Sequence, residues 1–196
     1  MNYAVVGTGH IGGALASQFA RKGIEVCIAN RTGAASLARE LGPSVKAVPV
    51  KEALRADVVF LAVPFSAVRD TVQEAGDWGG RIVVDATNAV RVPASELGGR
   101  LSTEIVAEAV PGARVVKAFN TLFAAVLARD PVQDGGRRVV FLSGDDDGAN
   151  REIARLVERL GFAPVSLGRI SEGGRLQHFG APLVGLNLLQ HPNPAG

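Results

Sequence analysis

"NYAVVGTGHIGGALASQFARKG", residues 2–23, decides how this chain is read. Residues 2–7 are apolar and end in glycine, as a buried strand running into a tight turn would. Residues 11–23 place Ile11, Leu15, Phe19 and Ala20 on one face and stop at Gly23, which predicts an amphipathic helix with a glycine C-cap. Between them Gly7, Gly9 and Gly12 stand in a G-x-G-x-x-G spacing. The spacing alone is a weak signal, but here it leaves a strand and opens a helix, the context of a dinucleotide-binding turn. Each glycine has a reason. Gly7 permits the turn, Gly9 lets a pyrophosphate approach the backbone, and Gly12 lets helix and strand pack closely. The N–H groups of Thr8 to Ile11 then face the phosphates at the positive helix end. His10 occupies a variable position of this loop and is expected beside the cofactor or in solvent, not as a catalytic base.

Downstream the pattern repeats. Strands are expected at 25–31, 46–50, 56–64, 81–88, 113–121, 137–144 and, shorter, 163–168. Helices are expected at 34–42, 65–76, 102–110 and 147–161. Pro49 suggests an edge for the 46–50 strand. Ser102 is the expected N-cap of its helix, with Ile105 where a glutamate would complete a capping box. Residues 172–190 read as an apolar, partly helical tail that packs on the sheet or meets a second subunit. Strands alternating with helices predict an α/β, Rossmann-type, doubly wound and mostly parallel sheet. The expected organisation is a single NADP-binding domain over 1–196. Residues 169–196 form a short C-terminal helical segment that closes the cleft or makes a dimer contact.

The stretch "IANRTG" (28–33) bears on which dinucleotide. An NAD site favours an acidic residue after the second strand, where it accepts hydrogen bonds from the ribose hydroxyls and repels a 2′-phosphate. This chain has Asn30, Arg31 and Thr32 instead. Asn30 removes the repulsion, Arg31 offers a forked cation, and Thr32 adds a hydroxyl, so the trio favours NADP(H). An arginine projecting into solvent is the plainer alternative.

Ligands of open parallel sheets bind beyond the C-terminal strand ends. Those ends present Ala62, Val63 and Pro64; then Asp85, Thr87 and Asn88; then Lys117, Ala118, Asn120 and Thr121. Asp85 and Thr121 fit helix or turn caps equally well, whereas Asn88 and Asn120 are read as site residues. No catalytic triad is visible. The histidines at 10, 178 and 191 lack metal-ligand spacing, and "GDDDG" (144–148) reads as a polar loop entering a helix, so no metal is expected. Small apolar surfaces and amides suit hydride transfer, which needs two rings held face to face with water excluded.

The bulk numbers exclude several classes. Hydrophobic residues make up 47% of 196, so the chain folds. Aromatics are only 5%, so aliphatic side chains are expected to build most of the core. A net charge of +2 with no basic block argues against nucleic acid. One cysteine excludes an intrachain disulfide framework, and Cys27, in an apolar strand, is expected to be a small buried hydrophobe. The first strand starts almost at Met1 and no apolar run reaches ~18 residues, so neither a leader nor a membrane span is expected and the default location is cytoplasmic.

The motif series "GTGHIG", "ANR", "LAVPF", "TEIVAEAV", "VVKAFNT" and "LSGDDDGA" resembles the NADP oxidoreductases that act with the deazaflavin coenzyme F-420. The glycine motif is generic, whereas the later members of the series are more specific. The resemblance covers nearly the whole chain. It implies a small C-terminal segment closing the cleft, often a homodimer, and hydride transfer between NADP(H) and a deazaflavin stacked on the nicotinamide. Thr8, Ile11, Arg31, Pro64 and Asn120 match positions lining the NADP side. Leu122 and residues 174–183 match the deazaflavin side. Catalytic positioning would thus fall to Asn120, Pro64 and Leu122, with no acid or base assigned. Archaeal members read "ALHT" where this chain has "AFNT", so Asn120 stands in place of a histidine. The "AFNT" form also resembles the oxidoreductase domains of membrane metalloreductases, which pass electrons from NADPH to a flavin. The rival readings are an NADPH-dependent flavin or ferric reductase and a non-catalytic NADPH-binding sensor.

Overall fold

The computed structural model describes residues 1–192, so the end of the expected 169–196 segment lies outside the described residues. The chain runs β1 (Tyr3–Val6), α1 (His10–Arg21), β2 (Val26–Ala29), α2 (Ala35–Leu41), β3 (Val45–Ala47), α3 (Val50–Ala53), β4 (Val58–Leu61), α4 (Val68–Val72) and β5 (Ile82–Asp85). It continues through α5 (Ala94–Leu97), α6 (Ser102–Ala109), β6 (Arg114–Ala118), α7 (Ala124–Leu127), β7 (Val132–Gln133), β8 (Gly136–Gly144), α8 (Asp147–Arg159), β9 (Ala163–Ser166), α9 (Ile170–Gln177) and β10 (Leu189–Gln190).

The strands pair in the order β3-β2-β1-β4-β5-β6, all parallel. Then β8 joins β6 antiparallel, and β9 runs parallel to β8. This is the expected α/β Rossmann-type, mostly parallel sheet, with a C-terminal helix. The chain winds from β1 outward to β3, crosses back to β4 and winds the other way, so the topological switch lies between β1 and β4, where a ligand crevice opens in such sheets.

The period-2 alternation of the central strands explains why the sheet is covered on both faces. Val5, Phe60, Ile82 and Val84 point to one face and pack with Leu15 and Phe19 of α1 and with Ile153, Leu156 and Val157 of α8. Val6, Val59, Leu61 and Val83 point to the other, against Leu54, Val68, Trp78 and Val106. Although aromatics are scarce, they are concentrated. Tyr3, Phe19, Phe60, Phe119 and Phe162 form a row of ring contacts on the first face, with successive centroids 5.4, 5.6, 5.9 and 6.4 Å apart. Phe119 lies within this row, between Phe60 and Phe162, which matters below.

Several local expectations are corrected. β3 is the edge strand but stops at Ala47, and Pro49 instead caps α3, a place where its fixed φ suits a helix start. The helix expected over 65–76 is α4 with a 3₁₀ turn at each end. The N-cap of α6 is Leu101, not Ser102, and the side chain three residues on is Glu104, whose carboxylate accepts from the Leu101 N–H at 2.8 Å. Cys27 is only partly buried; burial, then the nearby Glu52 carboxylate, pushes its thiol pKa up. The tail is helical only to Gln177, then turns back, and its β10 pairs antiparallel with β8. Sequence patterning missed α3, α5, α7, β7 and β10, all four residues or shorter. Among the described residues no helix is long and apolar enough to cross a membrane.

Candidate active site

The glycine turn sits at the switch point. Gly7 has φ +100, a left-handed conformation that a side chain strains, and its N–H donates to Ala29 O at 2.8 Å. A Cβ on Gly7 would overlap the Ala62 carbonyl, and one on Gly12 would overlap the Gly7 carbonyl. At Gly9 the same test finds open space within 4 Å. Two glycines therefore let β1, β4 and α1 approach, and the third leaves a clear approach to the backbone. The first N–H groups of α1 have no intrahelical acceptor and face that opening, an arrangement suited to an anion.

A pocket of about 220 Å³ opens here. Of the residues singled out in the sequence, the structure brings Gly7, Thr8, Gly9, Asn30, Arg31, Ala62, Val63 and Pro64 to it, but not His10, Ile11, Gly12, Thr32, Asn88, Ala118 or Asn120. Val50, Ala67 and Thr71 also line it and were not anticipated. They come from α3 and the helix after β4, so only the tertiary fold brings them in. Asn30 does more than remove a carboxylate: its Nδ2 donates to Thr8 Oγ1 at 2.7 Å and its Oδ1 accepts from Thr32 N at 3.2 Å. The amide thereby ties the glycine turn to the loop that carries Arg31. Arg31 is exposed and enters no ion pair among the described residues. His10 is exposed and, with Thr8, Gly9, Ser17 and Ala124, lines a neighbouring open hollow, while Ile11 is half-buried against the core.

The row of strand ends continues from β4 to β5 and β6, whose residues do not line that pocket. Asp85 and Lys117 are register partners there, both buried, with Lys117 Nζ 2.9 Å from Asp85 Oδ2. Asp85 also accepts from Thr87 N at 2.9 Å, Thr87 Oγ1 at 2.7 Å and Thr103 Oγ1 at 2.9 Å. Lys117 donates to Thr87 O at 2.6 Å as well. Of the two readings of Asp85, the structure shows the turn cap. It shapes the 86–88 loop, a buried pair rendered tolerable by four donors to one carboxylate. Thr121 is likewise buried, and its carbonyl receives Gly185 N of the tail at 2.8 Å.

Beyond this pair the chain turns sharply. Phe119 has φ +64, an outlier for a bulky side chain. It is held there because its ring is wedged between Phe60 and Phe162. The turn brings Asn120 onto Asn88. Asn88 Nδ2 donates to Asn120 O at 2.8 Å, and Asn120 Nδ2 donates to Asn88 Oδ1 at 3.0 Å and to Gln177 O at 2.7 Å. Asn120 is 2% exposed, whereas Asn88 is only half-buried. Ala118 and Leu122 are buried, and Phe123, which follows Leu122, is 68% exposed.

The residues fit a dinucleotide. Arg31 follows β2 and Asn88 follows β5, three strand spacings apart, or about 14 Å. Between them lie an open glycine, free helix N–H groups and the small surfaces of Ala62 and Pro64. A Rossmann sheet with this crevice defines a dinucleotide-binding protein. Residues 2–89, the Rossmann region, match the family described as NADP oxidoreductase, coenzyme F420-dependent. It is similar to a hypothetical protein from Sinorhizobium meliloti of known structure, at 56% identity over 97% of this chain and 96% of the other, TM-score 0.92. An Arthrobacter sp. FB24 structure assigned as an F420-dependent NADP reductase is 25% identical over 97% of this chain and all of that one, TM-score 0.74. Metalloreductase STEAP3 of Rattus norvegicus is 27% identical over 88% of this chain. The chain spans about a third of the length of the curated metalloreductases it matches, 35% for STEAP3.

Proposed function

We propose that the protein transfers hydride between NADP(H) and a deazaflavin of the coenzyme F-420 type. The observation that carries the cofactor half is Arg31, a cation with no ion-pair partner among the described residues, at the lip of the pocket that Gly9 leaves open. A guanidinium at that place pairs with a 2′-phosphate through two N–H groups. Thr8 to Ile11 offer N–H groups to the pyrophosphate, and Ala62, Val63 and Pro64 give the ring a rigid apolar floor. When bound, NADPH supplies the hydride; the acceptor takes it with one proton from water, and NADP⁺ is left. Nothing in this exchange requires a side-chain acid, consistent with a cleft whose far end holds amides.

The acceptor half is supported by the family match and by the Arthrobacter relative, which this chain parallels from end to end. Leu122 and residues 174–183 would border the acceptor, with the tail serving as the closing segment of one NADP-binding domain, in a homodimer. A second reading, NADPH-dependent reduction of a flavin or ferric chelate, is favoured by the metalloreductase match and by Asn120 in the "AFNT" turn. The test is NADPH oxidation followed by absorbance with oxidised F-420 in one cuvette and FMN or a ferric chelate in others. Turnover with F-420 alone is expected. Turnover confined to FMN or iron moves the protein to the second reading.

A further inference from the structure

The crevice has two asparagines at its far end, and the hydrogen bonds separate their roles. Both N–H groups of Asn120 are spent, on Asn88 Oδ1 and on Gln177 O, and its side chain is closed off from solvent. Asn88 spends one N–H on Asn120 O, finds no partner for the other among the described residues, and is only half-buried. The amide that can meet a ligand is therefore that of Asn88, and Asn120 stands behind it.

Gln177 stands behind Asn120. It is fully buried at the end of α9, far from the glycine turn in sequence. Its Oε1 accepts from Ser143 Oγ at 2.6 Å. Its Nε2 donates to Phe141 O at 3.1 Å and lies 3.3 Å from Lys117 O. The side chain thus spans β8 and β6 and fixes the height of its own carbonyl, the one that receives Asn120. The approach is close because Gly173 of the same helix lacks a Cβ, which would crowd Ser143 Cβ at 2.9 Å.

We propose that Gln177 is a positioning residue for the nicotinamide end of the cofactor, acting through Asn120 on Asn88, whose free N–H receives the carboxamide oxygen. The C-terminal helix then sets the register of the ring although it contacts none of it. This rests on the NADP(H) reading above but not on the identity of the acceptor.

The experiment compares NADPH with 2′,5′-ADP, which carries the 2′-phosphate and lacks the nicotinamide, in binding titrations of wild type, Asn88→Ala and Gln177→Met. Loss of the one bond from Asn88 to the carboxamide predicts an NADPH Kd raised about tenfold in both variants. The 2′,5′-ADP Kd should stay at the wild-type value. The fluorescence of bound NADPH, which reports the surroundings of the ring, should shift in Gln177→Met as in Asn88→Ala. Equal losses for both ligands, or a folded Gln177→Met with wild-type NADPH affinity and emission, overturn the proposal. Should Gln177→Met not fold, Ser143→Ala removes only the hydroxyl bonded to Gln177 Oε1. A small selective loss for NADPH then supports the proposal, and none overturns it. Failure of the parent reading looks different: wild type would bind neither ligand.

Discussion

At the ends of β1 and β4 the crevice is lined by backbone. Gly7 and Gly12 are there for closeness and Gly9 for room, and the few side-chain bonds, of Asn30 to Thr8 and the Thr32 N–H and of Thr71 to Ala67 O, are local. At the ends of β5 and β6 it is lined by side chains bonded to each other: Asp85, Lys117, Thr87 and Thr103 in one group, Asn88, Asn120 and Gln177 in the next. The first region is an open receptor for charge, with its binding groups held by the course of the chain. The second is a preassembled block in which each group depends on its neighbours. Damage to the first should weaken a ligand, whereas damage to the second should also weaken the fold.

The largest effect is expected at the buried pair. Lys117→Met leaves the Asp85 carboxylate with three neutral donors and no counter-charge, and should cost about 3–5 kcal/mol of stability in denaturant unfolding. Adding Asp85→Leu should restore much of it, because the stranded charge is then gone. A single variant as stable as wild type would show that the block is not coupled in this way. Among the glycines the comparison sharpens. Gly12→Ala forces a Cβ onto the Gly7 carbonyl and should cost about 3 kcal/mol, visible in the thermal midpoint. Gly9→Ala meets nothing in the protein. It should unfold close to the wild-type temperature yet bind NADPH poorly, since its methyl occupies the approach to the turn. Equal midpoints for the two variants would erase the distinction between a packing glycine and an access glycine.

Arg31→Ala tests the open region alone. Removing a charge-assisted pair should weaken NADPH by about 1.5–3 kcal/mol and leave NADH and stability nearly unchanged. Equal losses for both nucleotides in a titration would take Arg31 off the 2′-phosphate.

The same contrast explains what could be read from sequence. The glycine turn and the Arg31 loop are local, so spacing alone placed Gly7, Gly9, Gly12, Asn30 and Arg31 on one crevice. The strand-end rule brought Asn88 and Asn120 forward as candidates. Their mutual bond spans 32 residues, and that of Asn120 to Gln177 spans 57, so no local pattern separates the exposed amide from the buried one. Gln177 falls within residues 174–183, which only the resemblance places on the deazaflavin side, and nothing local singles it out. Phe119 looked like an ordinary strand residue, because its positive φ is imposed by ring packing against Phe60 and Phe162. The short elements α3, α5, α7, β7 and β10 carry too few residues for a period to show.

The smallest effect sets backbone against side chain within a single residue. Asp146, the N-cap of α8, accepts from Ala149 N at 2.6 Å and faces Arg114 Nη1 at 3.5 Å. Its carboxyl is held below the usual aspartate range, first by the backbone N–H and less by Arg114. A depressed folded value means that this stabilisation is complete above the ordinary aspartate pKa of about 3.9 and is lost as pH falls through the lower folded value. Asp146→Asn keeps a capping oxygen but cannot titrate. The difference in thermal midpoint between wild type and Asp146→Asn should therefore be constant near neutrality and shrink in acid. High salt, about 1 M, screens the partly exposed Arg114 pair but spares the Ala149 bond, so most of the acid-dependent difference should survive it. Its disappearance in salt would assign the shift to the arginine, and α8 would then belong with the side-chain-built half of the molecule.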